Sequence, residues 1–253
     1  MPGPVTHIAT SDASSITIRG LDLIHDIIGE RSFTEMIYFL TCRKMPTPTQ
    51  VKVLDACLVT LMEHGLTPSA LITRVTADSV PEQVQVAMAA GLLSVGSVFV
   101  GTMEGCAALL AEGIHATDAE AWARAKADEY LGAKRALPGF GHPIHKPDDP
   151  RTPRLFAVAA EAGVEGRYIA LLKTLSAAVD VRAGRHLTIN ATGAIGALLL
   201  EIGIPPAIMR AIAVISRCGG LAGHIREEHE TRSARTIWRL AEENIPYTPG
   251  DGT

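Results

Sequence analysis

The chain has 253 residues, 47% of them apolar and 4% aromatic, with a formal net charge of −4 at pH 7. That length allows one large or two modest domains with a sizeable core. The acidic balance argues against a general nucleic-acid binder. The apolar runs at residues 194–200 and 211–215 fall short of the roughly 20 residues that a membrane-spanning helix needs.

The N-terminal Met1-Pro-Gly-Pro has no basic segment followed by an apolar one, so no secretory signal is read and a cytoplasmic location is expected. A short hairpin is expected near residues 15–19. From there the periodicity is helical, with apolar residues at helical spacing over 33–40, 51–62, 83–98, 167–179 and 206–216. Ser32 with Glu35, and Thr47 with Gln50, fit capping boxes at helix starts. Gly65, Gly113, Gly163, Gly184 and Gly203 are placed to end helices in the left-handed conformation that glycine adopts easily. The charged segment 225–243 reads as a solvated or intersubunit helix. The total is ten or more helices with almost no sheet, an all-α chain.

Cys42, Cys57, Cys106 and Cys218 lie in or beside apolar stretches without metal-site spacing, and are expected to be small core residues. No metal is implied. Asn190-Ala-Thr192 matches a glycosylation acceptor by chance, given the absence of a secretory signal.

Two stretches, 137–152 and 186–193, break the helical pattern. Ordering loops of this size costs conformational entropy without hiding much apolar surface, which makes both functional candidates. The first contains Gly139-Phe-Gly-His-Pro-Ile-His-Lys-Pro-Asp-Asp-Pro-Arg151, and the second ends in Asn190-Ala-Thr-Gly193. These motifs resemble the histidine loop and the Asn-Val-Asp-Gly turn of the citrate synthase family, which includes citryl-CoA lyase, the C-terminal cleavage module of ATP-citrate lyase. Further matches follow in order: Ile18-Arg-Gly-Leu-Asp22, residues 32–40, Glu63-His-Gly-Leu-Thr-Pro-Ser-Ala70 with Arg74, Gly203-Ile-Pro205, and Ile215-Ser-Arg-Cys-Gly-Gly-Leu-Ala-Gly-His224.

The resemblance implies a large helical domain from residues 1–100 and 204–253, and a small one from 101–203 carrying both loops. It also implies an active site between them and a homodimer or higher oligomer. The implied ligands are an acyl-CoA and an oxaloacetate- or citrate-type acid, with no cofactor beyond the coenzyme A of the substrate, no nucleic acid and no membrane.

The implied activity is cleavage of citryl-CoA, or a related 3-hydroxyacyl-CoA, to acetyl-CoA and oxaloacetate by retro-aldol chemistry. Two alternatives stay open: a condensing enzyme acting on another oxoacid, and a catalytically impaired paralogue that binds CoA thioesters. His142 is the expected base at the substrate hydroxyl, because imidazole titrates near neutral pH. His145 is left as a ligand contact. Arg151 and Arg217 suit carboxylates through their planar two-pronged geometry. By resemblance, His64 and Asn190 join them in substrate binding, and Gly139, Phe140, Gly141 and Lys146 face coenzyme A. Lys134, Arg135 and Arg154 are further phosphate candidates.

Two positions depart from the family. Phe99 stands where synthases carry a histidine that stabilises the acetyl-CoA enol, a substitution shared with the lyase branch. Thr192 stands where the family has its catalytic Asp, and a hydroxyl with no useful pKa near 7 cannot hold and return a proton as a carboxylate does. Glu104 is a candidate deputy, with a structural role the more expected reading.

Overall fold

The computed structural model describes residues 3–96, 98, 100–248 and 250. Phe99 therefore lies outside the described residues. The chain opens with three short antiparallel strands, β1 (Ala9–Ser11), β2 (Ile16–Ile18) and β3 (Leu21–Asp22), followed by a π-helical turn over Leu23–Ile27. The expected hairpin is present and gains a third strand. Eleven α-helices follow among the described residues: α1 (Phe33–Cys42), α2 (Pro48–Met62), α3 (Pro68–Ser79), α4 (Val84–Leu93), α5 (Thr102–Gly113), α6 (Ala119–Gly132), α7 (Arg151–Glu161), α8 (Arg167–Ala183), α9 (Ala191–Glu201), α10 (Pro206–Thr231) and α11 (Ser233–Asn244).

The capping chemistry is as the sequence predicts. Ser32 Oγ accepts the Glu35 N–H while the Glu35 carboxylate accepts the Ser32 N–H, and Thr47 and Gln50 make the same exchange at the start of α2. Gly65, Gly163, Gly184 and Gly203 all have positive φ. Gly113 does not, and here the expectation is corrected: a Cβ at this position would lie 2.5 Å from the Trp122 indole, so close packing is what requires glycine. The helix expected over 83–98 stops at Leu93, where the Ser94 hydroxyl bonds the Gly91 carbonyl at 2.7 Å and draws the last turn closed. The segment 225–243 is two helices parted at Arg232, with φ 52°, and Ile225 and Glu228 within it are buried, so it is not a solvated face throughout.

The contacts define two compact units, Met1–Cys57 with Thr102–Arg210, and Leu58–Gly101 with Ala211–Thr253. Residues 1–57 thus group with the middle segment, whereas the expected partition places them with residues 204–253.

In the first unit Leu109, Ala123, Ala127, Leu137, Leu175 and Val179 form an apolar cluster joining α5, α6 and α8. Helix α9 is buried nearly all round, with every residue from Gly193 to Leu199 in the core. That is the environment a helix apolar on every side demands. Its C-terminal end is closed by the Tyr38 hydroxyl and the Gln50 amide, both bonded to the Ile202 carbonyl at 2.7 and 3.0 Å.

In the second unit Gly91 on α4 lies so close to Thr73 and the Ser69 carbonyl on α3 that no Cβ fits, and Ala77, Ala87 and Ile225 form its apolar cluster. Helix α10 is the one helix among the described residues long and apolar enough to cross a membrane by length and composition, with a mean hydropathy of 1.2 over its most apolar window, 44% of it buried. The apolar run that the sequence breaks at Arg217 therefore continues as a single helix. It carries the buried polar residues Ser216, Arg217, His224 and Glu228, as a helix packed within protein can.

Candidate active site

In the first unit the two motif loops are fastened to each other by backbone. Phe140 and Ile189 form an antiparallel bridge, the Asn190 N–H donates to the Gly139 carbonyl at 3.0 Å, and the Gly141 N–H donates to the Thr188 carbonyl at 2.8 Å. The crossing needs two glycines. A Cβ on Gly193 would lie 2.5 Å from the Gly139 oxygen, and one on Gly139, at φ 88°, would lie 2.7 Å from Cys106 Sγ and 2.9 Å from the Gly193 Cα. Gly139 is buried and Phe140 packs on the apolar cluster, so both act here as loop scaffold. Burial pushes the Cys106 thiol up to about 12, leaving it an inert core group.

Asn190 is the N-cap of α9. Its Oδ1 accepts the Gly193 N–H at 2.9 Å and the Thr192 hydroxyl at 2.7 Å, while its Nδ2 donates to the Gly141 carbonyl at 2.9 Å. One amide thus ties the helix start to the histidine loop. Thr192 is also 2.7 Å from the Thr102 hydroxyl, at the first residue of α5.

His142 is half-buried, and its Nδ1 accepts the backbone N–H groups of Ile144 and His145 at 3.1 and 3.0 Å. A nitrogen that accepts two N–H groups carries no proton, so the neutral ring bears its hydrogen on Nε2. That geometry favours His142 as a donor from Nε2, where the expectation is a base at the hydroxyl, and protonating Nδ1 would cost both backbone bonds. The His145 ring stacks on it with centroids 4.4 Å apart.

Asp149 is fully buried and is a member of the site that sequence reasoning missed. Its carboxylate binds Arg151 two-pronged, at 2.9 Å to Nε and 2.7 Å to Nη2, and accepts the Ala191 N–H at 2.9 Å. Burial acts to raise its pKa, but the Arg151 guanidinium and the backbone N–H groups of Ala191 and Arg151 outweigh this and hold it at about 2. Arg151 is therefore set in one orientation at the start of α7, with part of its fork already committed. The signal available in sequence was the acidic pair before Pro150, which reads equally well as a turn.

Lys146 is exposed on the histidine loop. Arg135 is held by Glu129 at 2.7 Å and Arg154 by Glu161 at 2.9 Å. Glu104 lies 3.0 Å from Arg210 Nε, off the line of a hydrogen bond, in an ion pair that supports its structural reading. His186 bridges Asp180 and Asp148 at 2.6 and 2.9 Å, and these two carboxylates raise its pKa.

The second unit holds a separate charged constellation. Arg74 donates to His224 Nδ1 at 2.9 Å, to Glu228 at 3.2 Å and to Ser233 at 3.0 Å, and pairs with Glu227. His224 Nε2 lies 3.0 Å from Glu63, off the N–H direction. Glu63 Oε1 accepts the N–H groups of His64 and Gly65. Burial works to raise the Glu63 pKa, and His224 with these N–H groups overcomes it, so the net shift is downward. Arg217 is 6% exposed, and among the described residues its Nε and Nη1 meet no hydrogen-bond partner. Burial lowers its pKa, and the Glu63 charge partly offsets that. A buried guanidinium with two open donors keeps hydrogen-bonding capacity that an anion could use.

The family model for the citrate synthase C-terminal domain matches residues 29–241. The chain belongs to the citrate synthase family. A citrate synthase of Synechocystis is 27% identical over 226 residues, covering 85% of this chain and 55% of its own length. The chain spans about half the length of the curated relatives it matches. Among solved structures, the citryl-CoA lyase of Hydrogenobacter thermophilus superposes with a TM-score of 0.87 at 29% identity, covering 98% of this chain and 96% of the lyase. An ATP citrate lyase from Methanothrix soehngenii, in complex with citrate and coenzyme A, gives 0.82 at 19% identity over 98% of this chain and 42% of its own. The citrate synthase of Thermotoga maritima gives 0.69 at 20% identity over 88% and 58%. The last two show the shared fold. The expected all-α citrate-synthase-like architecture is thereby established.

Proposed function

We propose that this chain is a citryl-CoA lyase-type enzyme that cleaves citryl-CoA, or a closely related 3-hydroxyacyl-CoA, to acetyl-CoA and oxaloacetate. The observation that carries the reading is the structural likeness to a citryl-CoA lyase, with a TM-score of 0.87 at 29% identity over 98% of this chain. The motif loops agree with it. In the proposed reaction His142 donates from Nε2 to the substrate's tertiary oxygen and stabilises the alkoxide that collapses to the ketone. Arg217, with its unpaired donors, takes a carboxylate. Arg151 and Asn190 in the first unit, and His64 in the second, are the other acid-binding residues of the proposal, and Gly141 and Lys146 its coenzyme A contacts. A homodimer in the cytoplasm belongs to the same proposal.

A second reading has a specific observation behind it. The Thr192 hydroxyl proton is already given to Asn190, so the position of the family acid offers no donor, as in a paralogue that binds without turnover. Release of oxaloacetate from citryl-CoA, followed by coupled NADH oxidation, separates the two. The lyase reading expects turnover by the wild type that falls by about 10² or more in His142→Ala. No turnover by the wild type, with activity appearing in Thr192→Asp, overturns the lyase reading in favour of the paralogue.

A further inference from the structure

Thr102 has no part in the expectations above, yet it makes one of the shorter side-chain contacts of the site, 2.7 Å from the Thr192 hydroxyl. Thr192 donates its single proton to Asn190 Oδ1. That acceptor is identified by its neighbours, because it also takes the Gly193 N–H while Nδ2 donates to the Gly141 carbonyl. The proton shared between the two threonines must then belong to Thr102. Of Thr192's two lone pairs one receives Thr102, and the other remains. Thr192 is half-buried, whereas Ala191 and Gly193 on either side are buried.

We propose that Thr102 is a positioning residue that fixes Thr192 as a hydrogen-bond acceptor, and that Thr192 thereby seats a water serving as the proton carrier of the cleavage. The inference rests on the lyase reading above. The steps balance through that water. As the carbon–carbon bond breaks, its electron pair passes to the departing enolate. The enolate carbon takes a proton from the seated water as the water's O–H bond breaks. The hydroxide left behind takes the proton given up by the substrate's tertiary hydroxyl, which regenerates the water. One proton moves from oxygen to carbon, and no protein side chain changes its charge. The arrangement dispenses with the family's carboxylate at a cost in rate, since water is a weaker acid than a positioned carboxylic acid. It agrees with His142, whose Nε2 hydrogen makes it a donor to the oxygen and leaves it unable to take the hydroxyl proton.

The test measures kcat and KM for citryl-CoA in wild type, Thr102→Val and Thr102→Ser, together with a double-mutant cycle on unfolding for Thr102→Val and Thr192→Val. Loss of one oriented hydrogen bond predicts a kcat about 5- to 10-fold lower in Thr102→Val, with KM little changed, and recovery of most of it in Thr102→Ser. The cycle should show a coupling of about 3-fold or more in the unfolding constant. An unchanged kcat in Thr102→Val, or a change confined to KM, overturns the proposal. Absence of wild-type turnover refutes the lyase reading and with it the water's catalytic role. The orientation of Thr192 then stands or falls on the coupling alone, and effects that simply multiply overturn it.

Discussion

The two units solve the problem of buried polarity in opposite ways. In the first, the loop crossing is made of backbone, two glycines, one amide and two hydroxyls, with the ion pair of the buried Asp149 and the half-buried Arg151 at its side. In the second, Arg74, His224, Glu228 and Glu63 form a run of ionic contacts in which Arg74 alone meets two carboxylates, while Arg217 is left with open donors. The neutral construction derives its accuracy from close approach and tolerates no added atom. The ionic one derives its accuracy from charge balance and tolerates no missing partner. The exception in each, Thr192 and Arg217, is where an outside group can be received.

The largest effect should come from unbalancing the ionic unit. Arg74→Met leaves Glu228 buried without its cation, and the expected loss is about 3–5 kcal/mol in denaturant unfolding. Overfilling the neutral unit ranks next. Gly193→Ala drives a methyl into the Gly139 carbonyl, and about 3 kcal/mol should be lost, together with the shape of the histidine loop; a variant as stable as the wild type would mean that the crossing gives way easily. Asp149→Asn probes the ion pair in the first unit. A carboxylate held at about 2 in the folded state stabilises fully above its unfolded value near 4, and that stabilisation is lost as pH falls through about 2. The variant should therefore be weaker by about 2 kcal/mol at neutral pH, and the gap should close between pH 4 and 2. Arg217→Met should have the smallest effect on stability, within about 1 kcal/mol in either direction, because no partner is left stranded. Its consequence should appear with citrate as the probe, as a thermal shift expected in the wild type and missing in the variant.

Much of the first unit was legible because local chemistry decides it. Both capping boxes, three of the unit's four terminal glycines and the two loops that break the helical pattern follow from residue type and spacing. Gly113 was misread because a glycine chosen for an indole nine residues along the chain looks the same in sequence as one chosen for its φ; Trp122 reveals the difference only in three dimensions. Asp149 and Thr102 were passed over for a related reason. An acidic residue before proline and a threonine at a helix start each have an ordinary local use, and their partners, Ala191 and Thr192, are about forty and ninety residues distant. The ionic network was the least legible part, since Arg74 and Glu228 are 154 residues apart and nothing nearby in sequence predicts that either is buried.

Helix α9 begins in the site at Asn190 and ends where the Tyr38 hydroxyl meets the Ile202 carbonyl, with its middle turns wholly in the core. Amide protons along it should exchange with solvent only when the whole unit opens, making it one of the last segments to come apart. Asn190 and Thr192 therefore sit at the edge of a slowly opening unit rather than on a pliable loop. The histidine loop shares that fixity, because Gly139 and Gly141 are bonded to Asn190 at the helix start, so a ligand seated there would meet an address already set.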